Sequence, residues 1–367
     1  MRLKTWRHFD FWLLGAVAIL IIFGVAMIDS AVAGNPELIE LGVVRRQIIF
    51  ALIGIAMIIL TTALDYHIWA AAGRVLYIFL VAALSLLIVA GEAAFGAVRA
   101  LDVGFAVVQP SELANIAIIL VMSDYFARHK HRMSELVWVV RSGLLTLVLV
   151  VLSYLQPDLS TAVVLMALWL SLAFISGLRL PHLFMLMGLG ILVSIISFPF
   201  LVTYQQQRVV NWFFPDPEAR FGETYNVDQA AISIGSGGLL GQGYGQGSQV
   251  QLRFLKVRHT DFIFSTIANE FGFIGTVIIM LILLFVIYRI IRAARLSHDM
   301  FGALICYGVA TLIAFTSIVN IGMNLKLLPV TGLTLPFISQ GGSSLLSLML
   351  GIGLVESVVA RHRVLDF

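Results

Sequence analysis

Apolar residues fill this chain in long blocks, and polar residues gather in the short intervals between them. Ten blocks approach the ~20 residues a helix needs to cross a bilayer. They lie at about 11–31, 47–64, 75–91, 110–127, 138–154, 159–176, 182–203, 262–288, 301–323 and 338–360. Backbone groups in hydrocarbon must be satisfied within their own segment, so each block is predicted to be helical. The expected fold is an all-α integral membrane protein of about ten transmembrane helices, forming a single polytopic domain over 1–367. One interval breaks the pattern, a long polar loop at about 204–260.

Composition strengthens this picture. The chain has 367 residues, 60% hydrophobic and 12% charged, with mean hydropathy +1.00. A soluble domain carries roughly 25% charged residues, so most of this length is not suited to water. The net charge of +3 and a pI near 9.1 do not point to nucleic acid. A single cysteine, Cys306, lies in an apolar run, which excludes an intrachain disulfide and a Cys-based metal site and fits a small buried residue. At the N-terminus, Arg2, Lys4 and Arg7 precede the first block, and Ala31-Val32-Ala33 resembles a small-residue cleavage site. The block exceeds the 7–15 residues of a signal-peptide core, so it reads as an uncleaved first helix.

Charge placement gives the orientation. With the N-terminus inside, fourteen of the 23 Lys and Arg residues fall in cytoplasmic segments. Only Arg45, Arg46, Arg99 and Lys326 fall in short outer segments. The remaining five lie in the 204–260 loop, and long loops count little in this rule. Both termini are therefore expected to be cytoplasmic and the long loop extracytoplasmic.

Candidate chemistry collects on the outer side. Loop 204–260 holds a glycine cluster at 235, 237, 238, 241, 243, 245 and 247. It matches no nucleotide-binding loop. It reads either as a flexible connector or as backbone a ligand can approach closely. His259-Thr260-Asp261 stands just before the apolar run from Phe262, so Asp261 is either a helix cap or a carboxylate poised at the membrane–water boundary. Ser265 and Asn269 share the Asp261 face, with Glu270 roughly opposite and about 13 Å deeper. Glu270 is expected to face protein, because a lipid-exposed carboxylate is costly. Arg99, Asp102 and Gln109-Pro110-Ser111-Glu112 lie at the outer start of the fourth block, and Gln156-Pro157-Asp158 between the fifth and sixth. Asn320, Asn324 and Lys326 follow the ninth block, and Gly341-Gly342-Ser343-Ser344 opens the tenth. Each alone reads as helix punctuation. Together they suit the lining of an outward-facing cavity.

Five of these motifs in order resemble one family. They are Gln109-Pro110-Ser111-Glu112, Gln156-Pro157-Asp158-Leu159, the glycine stretch ending Gly247-Ser248-Gln249, His259-Thr260-Asp261-Phe262-Ile263, and Pro329-Val330-Thr331-Gly332 with Leu335-Pro336-Phe337-Ile338-Ser339. The chain resembles the SEDS family (shape, elongation, division and sporulation) over nearly its whole length. Its short cytoplasmic ends and His-Thr-Asp-Phe-Ile-Phe form are more similar to RodA-like than to FtsW-like members.

The resemblance implies a peptidoglycan glycosyltransferase of the bacterial cytoplasmic membrane. Such an enzyme polymerises lipid II during cell elongation and rod-shape maintenance, with undecaprenyl pyrophosphate leaving. It implies a class B penicillin-binding protein and elongation-complex proteins as partners. Asp261 falls on the family's essential outer aspartate, with two roles left open: activating the acceptor hydroxyl or holding a divalent cation, Mg or Mn. Substrate contacts are expected from Arg99, Gln109, Ser111, Glu112, Asp158, Arg208, Gln229, His259, Thr260, Lys326, Ser343 and Ser344. The chain departs from the family pattern at Asn115, where a Lys is usual, and at Ala100, Ser160, Lys256 and Gln340. A lipid II flippase and a non-catalytic scaffold for the penicillin-binding protein are the rival readings. The gathering of polar motifs on one side disfavours a path across the whole bilayer.

Overall fold

The computed structural model describes residues 9–33, 35–93, 101–102, 107–132, 135–215, 223–252, 254–255 and 258–361. Fourteen helices are present among them. They are α1 (Phe11–Val32), α2 (Pro36–Glu40), α3 (Val43–Ala63), α4 (Ile68–Ala93), α5 (Pro110–Arg128), α6 (Leu136–Leu155), α7 (Leu159–Ile175), α8 (Leu180–Ser197), α9 (Thr203–Phe213), α10 (Glu223–Gly237), α11 (Ser248–Gln251), α12 (Ile263–Leu296), α13 (Met300–Asn324) and α14 (Gly342–Ala360). Two-residue strands, Leu101–Asp102 and Val107–Val108, pair antiparallel before α5.

The ten expected spans correspond to α1, α3 to α8 and α12 to α14. Eight spans are long and apolar enough to cross a membrane by length and composition alone. Of the other two, α7 is apolar but only 17 residues long, and α5 is interior. In α5, Ile116 to Leu120 are all fully buried, so its neighbours shield Asn115, Ser123 and Asp124 from lipid. By contrast α8 buries none of its residues and is apolar apart from His182, Ser194 and Ser197. Large exposed residues such as Phe79, Phe184, Ile195 and Phe273 mark the lipid-facing surface. The chain is a multi-pass membrane protein.

The 204–260 interval is more ordered than its composition suggests. It holds α9, α10 and α11, and its glycine cluster splices a broken helix. Gly272 leaves helical geometry at φ 65°, ψ −165°, inside α12. A break frees backbone N–H and C=O groups, which cannot be left unpaired at membrane depth. The glycine segment pairs with them. Phe273 and Ile274 donate their N–H groups to the carbonyls of Gly238 and Leu239 at 2.9 and 3.1 Å. The carbonyls of Asn269 and Glu270 accept from the N–H groups of Gln242 and Gly243 at 3.0 and 2.9 Å. This approach requires glycine: a Cβ on Gly241 would stand 2.1 Å from the Glu270 carbonyl oxygen. The flexible-connector reading of the cluster is thus corrected. Its glycines permit close backbone contact, not disorder.

Candidate functional site at the outer end

A cavity of about 810 Å³ lies at the outer end of the bundle. Its polar wall includes Gln109, Glu112, Asp158, Arg208, Thr260, Asp261, Ser343 and Ser344. Its lower wall is apolar, formed by Val163 of α7 and by Phe315, Ile318 and Val319 of α13. Ile318 is itself exposed on the lipid-facing surface, so the cavity reaches the side of the bundle.

Asp261 sits in the turn that precedes α12. The helix N-cap position is Phe262, which makes no side-chain cap bond. The main chain of Asp261 is held from α13. Asn320 and Asn324, one turn apart and fully buried, both donate side-chain N–H groups to its carbonyl at 3.1 Å. Asn320 also donates to the Leu333 carbonyl at 2.7 Å, and Asn324 accepts from the Ser265 hydroxyl at 2.6 Å. The 329–334 segment passes directly beside the carboxylate: a Cβ on Gly332, whose φ is +80°, would lie 3.9 Å from Asp261 Oδ2.

A second carboxylate, Asp158, terminates α7 as its N-cap and accepts from the Thr161 N–H at 3.2 Å. Its other oxygen accepts from the Ser111 hydroxyl at 2.9 Å, the Gln109 amide at 3.1 Å and the Thr161 hydroxyl at 2.8 Å. All of these donors are neutral. The Gln109 N–H donates to Ser343 Oγ at 3.0 Å, which ties the starts of α5 and α14 together. Ser344 pairs with Thr334 at 2.9 Å.

On the facing side, Arg208 of α9 reaches the Thr331 carbonyl at 3.4 Å and lies over the Tyr204 ring at 5.4 Å. Tyr204 and Gln205 anchor α9 by donating to the Pro157 carbonyl at 2.7 and 3.0 Å. Ser160 also donates to the Thr331 carbonyl. Arg208 is therefore presented to the cavity by a helix fastened to the α6–α7 turn.

Several expected site residues lie elsewhere. Lys326 pairs with Asp228 and lines a separate cavity of about 260 Å³. Its partner lies on α10, and sequence order gave no hint of that contact. Gln229, also on α10, is half-buried and outside the wall of the large cavity. His259 contributes its carbonyl, which accepts from the Gln340 N–H at 3.0 Å, rather than its ring. Burial, and then the Arg258 charge beside it, hold the His259 imidazole below its ordinary pKa. Ser111 lies behind the wall, bonded to Asp158. Arg99 lies outside the described residues. Tyr204 and Gln205, whose side chains hold α9 to the Pro157 carbonyl, escaped sequence reasoning, and Thr331 and Gly332 figured there only within a motif because they contribute a carbonyl and close packing.

Residues 11–364 match the family described as cell cycle protein, FtsW/RodA/SpoVE. The chain belongs to this family. Among the relatives of this FtsW/RodA/SpoVE chain is the peptidoglycan glycosyltransferase MrdB of Escherichia coli K12, 32% identical over 98% of this chain and 95% of that one. Solved structures agree. A chain from a peptidoglycan synthase complex that coordinates polymerization and crosslinking matches with a TM-score of 0.80 at 29% identity, covering 96% of this chain and 97% of that one. The rod shape determining protein RodA of Thermus thermophilus matches with a TM-score of 0.71 at 28% identity, over 96% and 97% of the two chains.

Proposed function

We propose that this protein is a peptidoglycan glycosyltransferase of the bacterial cytoplasmic membrane, polymerising lipid II during elongation beside a class B penicillin-binding protein. The observation that carries the reading is the amphiphilic outer cavity, with acids and an arginine above an apolar wall that reaches the bilayer side. That pairing suits a substrate with a polar sugar–pyrophosphate head and a polyprenyl tail. The relatives' printed activities support the same reaction, and the synthase-complex match supports the transpeptidase partner.

In this reading the acceptor 4-hydroxyl attacks the donor anomeric carbon, and the bond to undecaprenyl pyrophosphate breaks. Asp261 takes the hydroxyl proton as general base. Asn320 and Asn324 fix its main chain, which limits the positions the carboxylate can take. Arg208 offsets charge growing on the leaving pyrophosphate. Asp158, saturated by neutral donors, holds the starts of α5 and α7 in register.

A divalent cation fits a limited role here. Among the described residues no three His, Cys, Asp or Glu side chains converge into a ready-made cage. Asp261 could offer one carboxylate, with phosphate oxygens and water completing the shell as Mg²⁺ prefers. Such an ion would supply further charge neutralisation at the pyrophosphate.

The test is reconstitution. The purified protein with its transpeptidase partner should convert lipid II into glycan ladders, and Asp261→Ala should abolish them. Ladders that persist in the variant would remove Asp261 from the reaction. Movement of lipid II between leaflets without ladders would favour a flippase instead.

A further inference from the structure

Beneath the large cavity lies a second space of about 20 Å³, enough for one water-sized occupant. Its wall combines Glu112 and Asn115 of α5, Thr161 of α7, Thr316 of α13, Thr334, and Ser344 and Ser347 of α14. Glu112 and Asn115 are three apart and share a helix face. The Glu112 carboxylate accepts no hydrogen bond from any described residue, and Asn115 Oδ1 is buried with no partner. Asn115 is 4% exposed.

Three of the hydroxyls around this space have already committed their protons elsewhere. Thr161 donates to Asp158 at 2.8 Å, Thr316 to the Leu312 carbonyl at 2.7 Å and Ser347 to the Glu112 carbonyl at 2.8 Å. Thr334 and Ser344 spend one of their two protons on each other. What faces the space is mainly a set of oxygen lone pairs and one carboxylate, with the Asn115 amide N–H groups and the second Thr334–Ser344 proton as the donors left. A water has two protons to offer and no net charge, so it leaves the Glu112 charge uncompensated. A small hard cation satisfies both the lone pairs and the charge, because oxygen donors suit it. Glu112 is the one carboxylate in the wall itself, and a monovalent ion matches its charge.

We propose that Glu112, Asn115, Thr161, Thr316 and Ser347 form a binding site for a single dehydrated Na⁺. The ion ties α5, α7, α13 and α14 together under the floor of the large cavity. It is distinct from any divalent ion at Asp261, and the proposal does not depend on the reaction carried out above it.

The site is tested on the full-length protein in detergent by equilibrium dialysis with ²²Na⁺ and by thermal unfolding in NaCl, KCl or choline chloride at equal ionic strength. One saturable Na⁺ per chain is expected, with a higher melting temperature in NaCl than in the other two salts. Asn115→Leu should weaken ²²Na⁺ binding by about 10- to 100-fold, the cost of one oxygen ligand to a charge. Asn115→Lys, which places an ammonium in the space, should abolish binding and raise the melting temperature in choline. Absence of saturable binding to the wild type overturns the proposal without reference to any variant. So does displacement of ²²Na⁺ by K⁺ as readily as by Na⁺, or binding that Asn115→Lys leaves intact.

Discussion

At the inner end of the bundle Asp10 meets Arg289 at 2.6 Å, and its N–H donates to the buried Glu356 at 3.0 Å. Asp124 meets Arg128 at 2.7 Å, and Asp299 and Asp65 flank His67 at 2.9 and 2.8 Å. At the outer end the cavity acids are handled differently. Asp158 is surrounded by hydroxyls and amides, Glu112 takes no hydrogen bond from a described residue, and the main chain of Asp261 is clamped by two asparagines. The outer ion pair of Lys326 with Asp228 stands in a neighbouring pocket, not in the cavity. A buried charge is costly unless compensated. The inner end compensates Asp10, Asp65, Asp124 and Asp299 with basic side chains of the same chain, while the buried Glu356 takes the Asp10 N–H. At the outer end Asp158 and Glu112 form no ion pair among the described residues, and neutral donors hold Asp158 instead.

The comparison can be broken first at the inner pair. Asp10→Ala removes the partner of Arg289 and the cap on the Leu13 N–H. It should cost about 3–5 kcal/mol of stability, towards the lower end because Arg289 keeps 16% exposure. Thermal unfolding would show this, while turnover per folded molecule stays at the wild-type level. Next comes the splice beside α12. Gly241→Ala, at φ +82° and against the Glu270 carbonyl, should destabilise by about 2–4 kcal/mol, read by the same melt. At the outer clamp, Asn320→Ala should lower kcat by about 10- to 100-fold with little change in KM, because it misplaces Asp261 without touching substrate.

The smallest effect concerns pH. Burial alone would lower the His67 pKa, but hydrogen bonds and charge from Asp65 and Asp299 outweigh it and raise the value. A raised folded pKa contributes stability that is full below the unfolded value of about 6.5 and is lost as pH rises through the folded value. Because His67 is well exposed, the melting temperature should fall only slightly between about pH 6 and pH 8. The drop should disappear in His67→Gln.

Much of this was legible in the sequence. All ten spans follow from apolar block length, and the interior ones carry Asn115, Asp124 and Glu356, which no lipid-facing helix would tolerate. The acids at outer helix starts did converge on one cavity. Two things were hidden. The glycine cluster has the composition of a linker, yet its role is set by Gly272 some thirty residues on, a pairing that only three-dimensional contact reveals. Main-chain carbonyls at Pro157, Thr331 and Leu333 organise the site, and a carbonyl has no signature in residue type. Lys326 misled for the opposite reason, since its charge is visible in sequence and its partner on α10 is not.

The most direct measurement compares two variants side by side, Asp261→Asn and Asp10→Asn, for both glycan polymerisation from lipid II and thermal unfolding. Asp261→Asn should lose about 10²- to 10⁴-fold in rate with an unchanged melting temperature. Asp10→Asn should melt earlier and polymerise normally per folded molecule. An Asp261→Asn protein that polymerises at the wild-type rate, or that loses rate only in proportion to lost folded protein, would contradict the account.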